Sequence, residues 1–199
     1  MRIHNVKFSS VVLMAIVVFF GFAERFTFND RLSEAAISII NPEIRYDPSY
    51  HNISYPMGDV PERTGVCTDV VIRAYRKLGI DLQEKVHLDM VSDFQSYPQV
   101  FGLKKPDANV DHRRVPNLMV FFKRNGESLP ITQVPADFHP GEIVCWNLYG
   151  SVNHIGIVVN KKSADQQRFM VVHNIGGGQV MEDMLFKYRI IGHYYYDGH

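Results

Sequence analysis

Apolar residues recur every three to four positions in four stretches of the chain, the spacing of helices that bury one face. The pattern predicts helices over 30–40, 67–78, 82–94 and 116–125. Gly79 and Gly126 follow two of them as stop signals, and Asp81 is placed to cap the third. A long loop, rich in Pro, Tyr, Asp and Gly, is expected over 45–64. The first two thirds of the chain are therefore predicted to be mainly helical.

The pattern changes beyond residue 126 to short runs of β-branched and aromatic residues, separated by Gly, Asn, Ser and Asp turns. The predicted strands are Glu142–Leu148, His154–Asn160, Arg168–Asn174 and Lys187–Tyr196. Helices followed by an antiparallel meander are typical of the α+β class. We therefore expect N-terminal helices packed on a C-terminal antiparallel sheet.

The first residues differ from the rest. Arg2 and Lys7 precede an apolar run over Val11–Phe22, which is short for a bilayer core that needs about 20 residues. This pattern predicts a secretory signal over residues 1–23, cleaved after Ala23, with an uncleaved anchor as the alternative. Both place the single domain over 24–199 outside the cytoplasm, in the periplasm. Membrane contact, through the N-terminal segment, is expected only if that segment stays uncleaved.

Composition narrows the classes of function. Lys+Arg and Asp+Glu both number 21, so the net charge is zero, and the chain has no basic excess for nucleic-acid binding. A hydrophobic fraction of 46% excludes intrinsic disorder. A chain of 199 residues also buries a sufficient core without disulfide bonds.

Cys67 is the first candidate for chemistry because it opens a predicted helix. A thiol there faces the positive end of the helix dipole, which stabilises its thiolate. Backbone N–H groups around it, at Val66 and Thr68, are candidates to hold an oxyanion during acyl transfer. The alternative is that Cys67 is a small buried hydrophobic residue, as most free cysteines are.

Two histidines are candidates for the base that a nucleophilic thiol needs. His154 begins one predicted strand and His173 lies at the end of the next. If the two strands form a hairpin, the imidazoles become cross-strand neighbours. One is then placed to act as the base and the other to orient it. The alternative is that each satisfies its hydrogen bonds at a sheet end.

The motifs around these residues resemble the NlpC/p60-type cell-wall cysteine peptidases, which have a papain-like α+β fold. The matching segments are Gly65-Val66-Cys67-Thr68-Asp69, Pro140-Gly141-Glu142-Ile143-Val144, His154-Ile155-Gly156-Ile157-Val158 and Val172-His173-Asn174. More closely, about 46–196 is similar to the bacterial domain of unknown function 1287. The shared features are Tyr55-Pro56, Gly58-Asp59-Val60-Pro61, Val70-Val71-Ile72-Arg73-Ala74-Tyr75 and Asp111-His112-Arg113-Arg114-Val115-Pro116-Asn117.

The resemblance implies a hydrolase that cleaves an amide bond of peptidoglycan stem peptides, with no metal or cofactor. Cys67 would be its nucleophile, His154 its base and His173 the orienting residue, while Tyr55 would be an accessory hydrogen-bond donor. Further substrate contacts are expected from Asp69, Arg73, His112, Arg113, Arg114 and Asn174. The peptidases usually carry Asp before the cysteine and Ser-Gly after it, so Val66 and Thr68-Asp69 depart from their pattern.

Other interpretations of the same residues remain open. Arg113 and Arg114 are suited to bind carboxylates, or they pin a loop through internal salt bridges. Cys145 is expected in the core, but in an exported protein it is also able to pair with Cys67. A zinc site of His154, His173, Asp183 and Cys67 lacks short ligand spacing and ranks lower. The rival function is a non-catalytic periplasmic binding or scaffold domain that retains the fold.

Overall fold

The computed structural model describes residues 27–100, 102–150 and 152–199. The signal or anchor predicted over residues 1–23 lies outside these ranges. Within them, none of the helices has the length and apolar character needed to cross a membrane.

The four predicted helices are present, each 11 residues long. They are α1 (Phe28–Ser38), α2 (Cys67–Lys77), α3 (Leu82–Ser92) and α4 (Val115–Asn125). Thr27 and Asp30 form a capping box at the start of α1, and Asp81 caps α3 by accepting a hydrogen bond from the Gln83 N–H. Gly79 follows α2 with φ +79°, a conformation that glycine adopts without strain. Local spacing and capping residues thus predicted the helices to within a few residues.

A six-stranded sheet completes the fold. Its strands are β3 (Glu127–Ser128), β4 (Ile143–Asn147), β5 (Asn153–Lys162), β6 (Phe169–His173), β7 (Val180–Glu182) and β8 (Arg189–Tyr195), in the spatial order β3-β8-β4-β5-β6-β7. Neighbouring strands are antiparallel. A separate parallel pair joins β1 (Arg45–Tyr46) to β2 (Thr64–Gly65), inside the segment predicted to be loop. The mixed helix-and-sheet class is confirmed.

The predicted meander is wrong for the last strand. After β7 the chain returns to the centre of the sheet, so that β8 pairs with β4 rather than with β7. β8 carries Ile190 and Tyr194, both buried, into the cores on the two sides of the sheet. The three-residue β7 offers too short an edge to cover them.

The two faces of the sheet form two cores. On the helix side, Ile155, Ile157 and Cys145 pack with α2, whose first residue Cys67 belongs to the same cluster. The opposite face buries a smaller cluster that includes Trp146 and Val158. Because side chains alternate along a strand, the start of β5 presents residues to both cores.

Candidate active site

Cys67 lies at the start of α2 with its sulfur against the first residues of β5. The residue is 4% exposed, and the backbone N–H groups of Ile155, Thr68 and Cys67 itself lie near enough to the sulfur to favour its charged form. The helix start and the backbone of β5 therefore meet at this atom, whereas the sequence predicted that an imidazole from the sheet would reach it. His154 directly precedes Ile155 along β5.

A buried ion pair fixes the start of α2. Asp69 accepts a hydrogen bond from the Val66 N–H at 2.7 Å and from Arg113 through Nε and Nη2 at 3.0 and 3.1 Å. Both side chains are 5% exposed or less. Asp69 and Arg113 are thus structural partners, and the salt-bridge interpretation holds for Arg113. The prediction that the Val66 N–H serves an oxyanion is wrong, because that N–H is already bonded.

The sulfur is not the stabilised thiolate that its position at a helix start predicts. Burial raises the pKa of Cys67 to about 12, and the nearby Asp69 carboxylate adds to the rise. The N–H donors at the sulfur act in the opposite direction but do not outweigh burial. The free protein therefore holds a neutral thiol at physiological pH. The position of Cys67 at a helix start reveals the effect of the helix dipole. The desolvation of its sulfur depends on tertiary packing, which the sequence does not show.

The pH dependence of alkylation tests this protonation state. At pH 8 a thiol with this pKa is about 10⁻⁴ ionised, against roughly a quarter for an ordinary cysteine. Only the thiolate reacts with iodoacetamide, so we expect Cys67 to label about 10³-fold more slowly than a free thiol at that pH. Its rate should rise about tenfold for each pH unit between pH 6 and 9. The extent of labelling is measured by mass spectrometry. An alkylation rate that levels off below pH 8 would instead show a thiolate–imidazolium pair.

His154 and His173 form the predicted imidazole pair. Nε2 of His154 lies 3.0 Å from Nδ1 of His173, and the rings are perpendicular. The strand register places His173 opposite Gly156. Gly156 comes two residues after His154, on the same face of β5. A Cβ on Gly156 would come within 3.1 Å of the His173 Cβ, so the glycine makes room for this contact.

Glu182 on β7 orients the pair, a residue that the sequence did not reveal. Its Oε2 lies 3.4 Å from Nε2 of His173, and a carboxylate there favours a proton on that nitrogen. Nδ1 of His173 then accepts the hydrogen bond from His154 Nε2–H, which leaves Nδ1 of His154 as the basic nitrogen. Burial, with His173 adding to it, lowers the pKa of His154 to about 3. The ring is therefore neutral in the free protein, and the lowered pKa makes it a weak base.

The resting site does not join the thiol to the imidazole. In the described part of the chain, no hydrogen bond connects the Cys67 sulfur to the His154 ring. That ring is 6.0 Å from the ring of Trp146, its cross-strand partner. Such contacts are often loose before substrate binds. Ile155 belongs to the core that contains Cys67, whereas its neighbour His154 projects to the opposite face of β5 and packs on Trp146 of the other core. Proton transfer therefore requires a rearrangement that brings the imidazole to the sulfur side of the strand.

The tyrosine beside the thiol is Tyr46, not Tyr55. Tyr55 packs edge-on against His87 of α3, with ring centroids 5.2 Å apart, so its predicted role as an accessory donor is wrong. Tyr46 of β1 lines the same cavity as Cys67, and burial raises its pKa to about 12, with Cys67 and Asp69 adding to the rise. The parallel pairing of β1 with β2 brings Tyr46 close to the residues before Cys67.

A cavity of about 420 Å³ opens onto the thiol. Cys67 forms part of its wall, together with segments from β1, the start of α4 and the start of β5. Its lining includes Tyr46, Tyr50, Arg113, Arg114 and Asn153. Burial lowers the pKa of Arg114 and outweighs the opposite effect of Asp111 and Asp107. The cavity is the route by which a ligand of moderate size would reach the sulfur.

Three other predicted substrate contacts have different roles. Arg73 donates to Asp59 at 3.0 Å and to Gln179 at 2.7 Å, and so ties the loop before α2 to the end of the sheet. His112 is buried outside the cavity lining, and burial lowers its pKa to about 3. Asn174 donates to the Gly65 carbonyl at 3.3 Å, which links the end of β6 to the segment before Cys67. Each supports the site without lining the cavity.

Both cysteines are free thiols, so the alternative disulfide is not formed. Cys145 is fully buried on β4, on the same side of the sheet as Cys67. Asp183, considered for a zinc site, is engaged by Arg168 at 2.7 Å. Among the described residues, no three His, Cys, Asp or Glu side chains are grouped to hold a metal ion.

Comparison with known proteins identifies the family. The family model described as "Domain of unknown function (DUF1287)" matches residues 33–196, which contain every candidate residue above. The chain belongs to this family. It is also 46% identical over 168 residues to "Uncharacterized protein YijF" of Escherichia coli (strain K12), covering 84% of this chain and 82% of that protein. The resemblance to the DUF1287 family is thus confirmed.

Proposed function

We propose that this DUF1287 domain is an exported thiol hydrolase that cleaves an amide bond in peptidoglycan stem peptides. The observation that carries the proposal is the meeting of the α2 start and the β5 start at the Cys67 sulfur, inside a cavity. An imidazole pair lies at that same strand start, on the opposite face of β5 from Ile155, so the mechanism also requires His154 to turn toward the sulfur. Nucleophile, base and orienting group are the parts that covalent acyl transfer requires.

The reaction uses Cys67 and His154 in sequence. Nδ1 of His154 takes the thiol proton as the sulfur bonds to the carbonyl carbon, and the carbonyl oxygen becomes an oxyanion. The carbon–nitrogen bond then breaks, and the imidazolium gives its proton to the leaving amine. Water, deprotonated by the same imidazole, releases the acyl group and restores the thiol. Both groups are neutral in the free protein, so proton transfer accompanies attack, and substrate binding must bring the pKa of the thiol and that of the imidazole closer together.

Three parts of the proposal rest mainly on the sequence: the papain-like site, the peptidoglycan substrate and the export. The NlpC/p60-type motifs support a papain-like site and a peptidoglycan substrate. The basic and apolar pattern of residues 1–23 supports export to the periplasm. Arg114 in the cavity wall suits a stem peptide, which carries carboxylates.

The rival function is a binding or scaffold domain that retains the fold without catalysis. Two observations favour it: the raised pKa of Cys67 and the missing sulfur–imidazole hydrogen bond in the described structure. A scaffold would bind peptidoglycan fragments but leave them intact. The two functions therefore differ in the products that they yield.

Digestion of purified peptidoglycan sacculi tests the proposal. We expect the protein to release soluble peptides and new amino groups, identified by mass spectrometry as products of one amide cleavage. The Cys67→Ser variant serves as the control, because it replaces only the sulfur atom by oxygen. Equal product from the variant and the wild type, or binding to sacculi without any product, would rule out the thiol mechanism.

A further inference from the structure

We propose that the side-chain amide of Asn153 donates a hydrogen bond to the oxyanion formed at Cys67. The inference rests on the proposed function and names a catalytic residue that the motifs did not reveal. Asn153 is the first residue of β5 and, like Cys67, lines the cavity. It is two positions from Ile155, whose N–H contacts the sulfur, so both residues project on the same face of the strand.

The hydrogen bonds of the β4–β5 turn fix which end of the Asn153 amide is the oxygen. Nδ2 of Asn147 donates to the Gly150 carbonyl at 2.6 Å, and a carbonyl only accepts. That bond sets the orientation of the Asn147 amide. The same Nδ2 lies 3.4 Å from the Asn153 side chain, and the atom facing a donor must be Oδ1. Nδ2 of Asn153 is therefore directed away from Asn147.

The site also needs a donor beyond the helix start. The Val66 N–H is bonded to Asp69 at 2.7 Å, and the N–H groups of Cys67 and Thr68 lie near the sulfur itself. An oxyanion forms one bond away from the sulfur, on the carbonyl carbon. A second donor on the cavity wall stabilises that charge best when its orientation is already set. Asn153, held by Asn147, meets this requirement.

A peptide aldehyde isolates the oxyanion from the rest of the reaction. The Cys67 sulfur bonds to the aldehyde carbon, the carbonyl π bond breaks, and the thiol proton moves to His154. The product is a hemithioacetal whose oxygen occupies the oxyanion position. Alkylation by iodoacetamide displaces iodide and forms no such oxygen. The two reagents therefore share the nucleophile but differ in their need for a donor.

The experiment compares both reagents on the full-length protein. The dissociation constant of N-acetylglycinal, labelled with ¹³C at the aldehyde carbon, is measured from the hemithioacetal NMR signal. The alkylation rate of Cys67 is measured at pH 9. We expect Asn153→Ala to weaken aldehyde binding by about 10- to 100-fold while the alkylation rate changes by less than about threefold. Asn160→Ala, an exposed residue on the same strand, is the matched control and should change neither.

A variant of Asn147 tests the orientation separately. Asp at position 147 only accepts, so Asn147→Asp turns Nδ2 of Asn153 toward it and presents Oδ1 to the cavity. We expect aldehyde binding to weaken as much as in Asn153→Ala, although residue 147 does not line the cavity. A structural role alone would instead reduce alkylation and aldehyde binding in parallel.

The outcomes separate this inference from the proposed function. Equal aldehyde affinity in the wild type and Asn153→Ala would overturn the role of Asn153 and leave the thiol mechanism standing. A parallel loss of both reactions would also overturn it, because it would show collapse of the cavity. Failure of the wild type to form any hemithioacetal, with sacculi left undigested, would overturn both.

Discussion

Replacing Cys67 by alanine is expected to reduce the digestion of sacculi by about 10⁴-fold or more, to the limit of detection. Loss of the nucleophile in a covalent mechanism removes the acyl intermediate altogether, and effects of this size are usual for such residues. The measurement is the rate of release of new amino groups, with products checked by mass spectrometry. Cys67→Ser should be nearly as inactive, since a hydroxyl is a far weaker nucleophile at the same position.

Cys145→Ala is the matched control for that prediction. Cys145 is the second buried thiol on the helix side of the sheet, so its removal also makes a small space in the core. It does not line the cavity, and the variant should keep at least half of the wild-type rate. Equal digestion by Cys67→Ala and the wild type would show that the thiol is not the nucleophile. Urea unfolding of all variants confirms that each is folded.

The helices could be predicted because their signals are local. The stripe through Val70, Val71 and Ala74 and the stop at Gly79 lie within one stretch of chain. The position of β8 could not, because its partner β4 is some 45 residues away. In the structure, β8 pairs with β4 and buries Ile190 and Tyr194 in the cores on the two sides of the sheet.

The candidate site shows the same difference between residues with local sequence signals and residues placed by long-range pairing. Cys67, His154 and His173 were found because each stands at the end of a predicted element. Tyr46, Glu182 and Asn153 were missed, since their roles depend on pairing between distant segments or on short strands with weak patterns. One signal was available: Asn153 directly precedes His154, and strand alternation would have placed it on the opposite face, toward the predicted helices.

The pKa of Cys67 was predicted in the wrong direction for a related reason. The helix dipole is visible in the sequence, because it follows from where the helix begins. Burial and the carboxylate of Asp69, which raise the pKa, are properties of the assembled core. A helix-start cysteine is therefore a signal of position rather than of ionisation.

Arg113→Ala is expected to lower the free energy of unfolding by about 3–5 kcal/mol, the usual cost of breaking a buried ion pair from one side. Arg113 is almost fully buried against Asp69 and also donates to the Ser49 and Asp47 carbonyls at 3.1 and 3.3 Å. Its removal leaves the Asp69 charge uncompensated and the loop after β1 untied. Urea denaturation followed by circular dichroism measures the loss.

Arg63→Ala is the control, because its ion pair with Glu43 is largely exposed and such pairs contribute little. A loss within error for Arg113→Ala would contradict a structural role for the buried pair. Arg113→Ala should also slow Cys67 alkylation, because an unpaired Asp69 carboxylate disfavours a second negative charge beside it. Asp69→Asn should do the opposite and speed alkylation, even though it too loses the ion pair. Opposite changes in the reactivity of Cys67 from two destabilising variants would show that the pair balances charge at the thiol as well as holding the cavity wall.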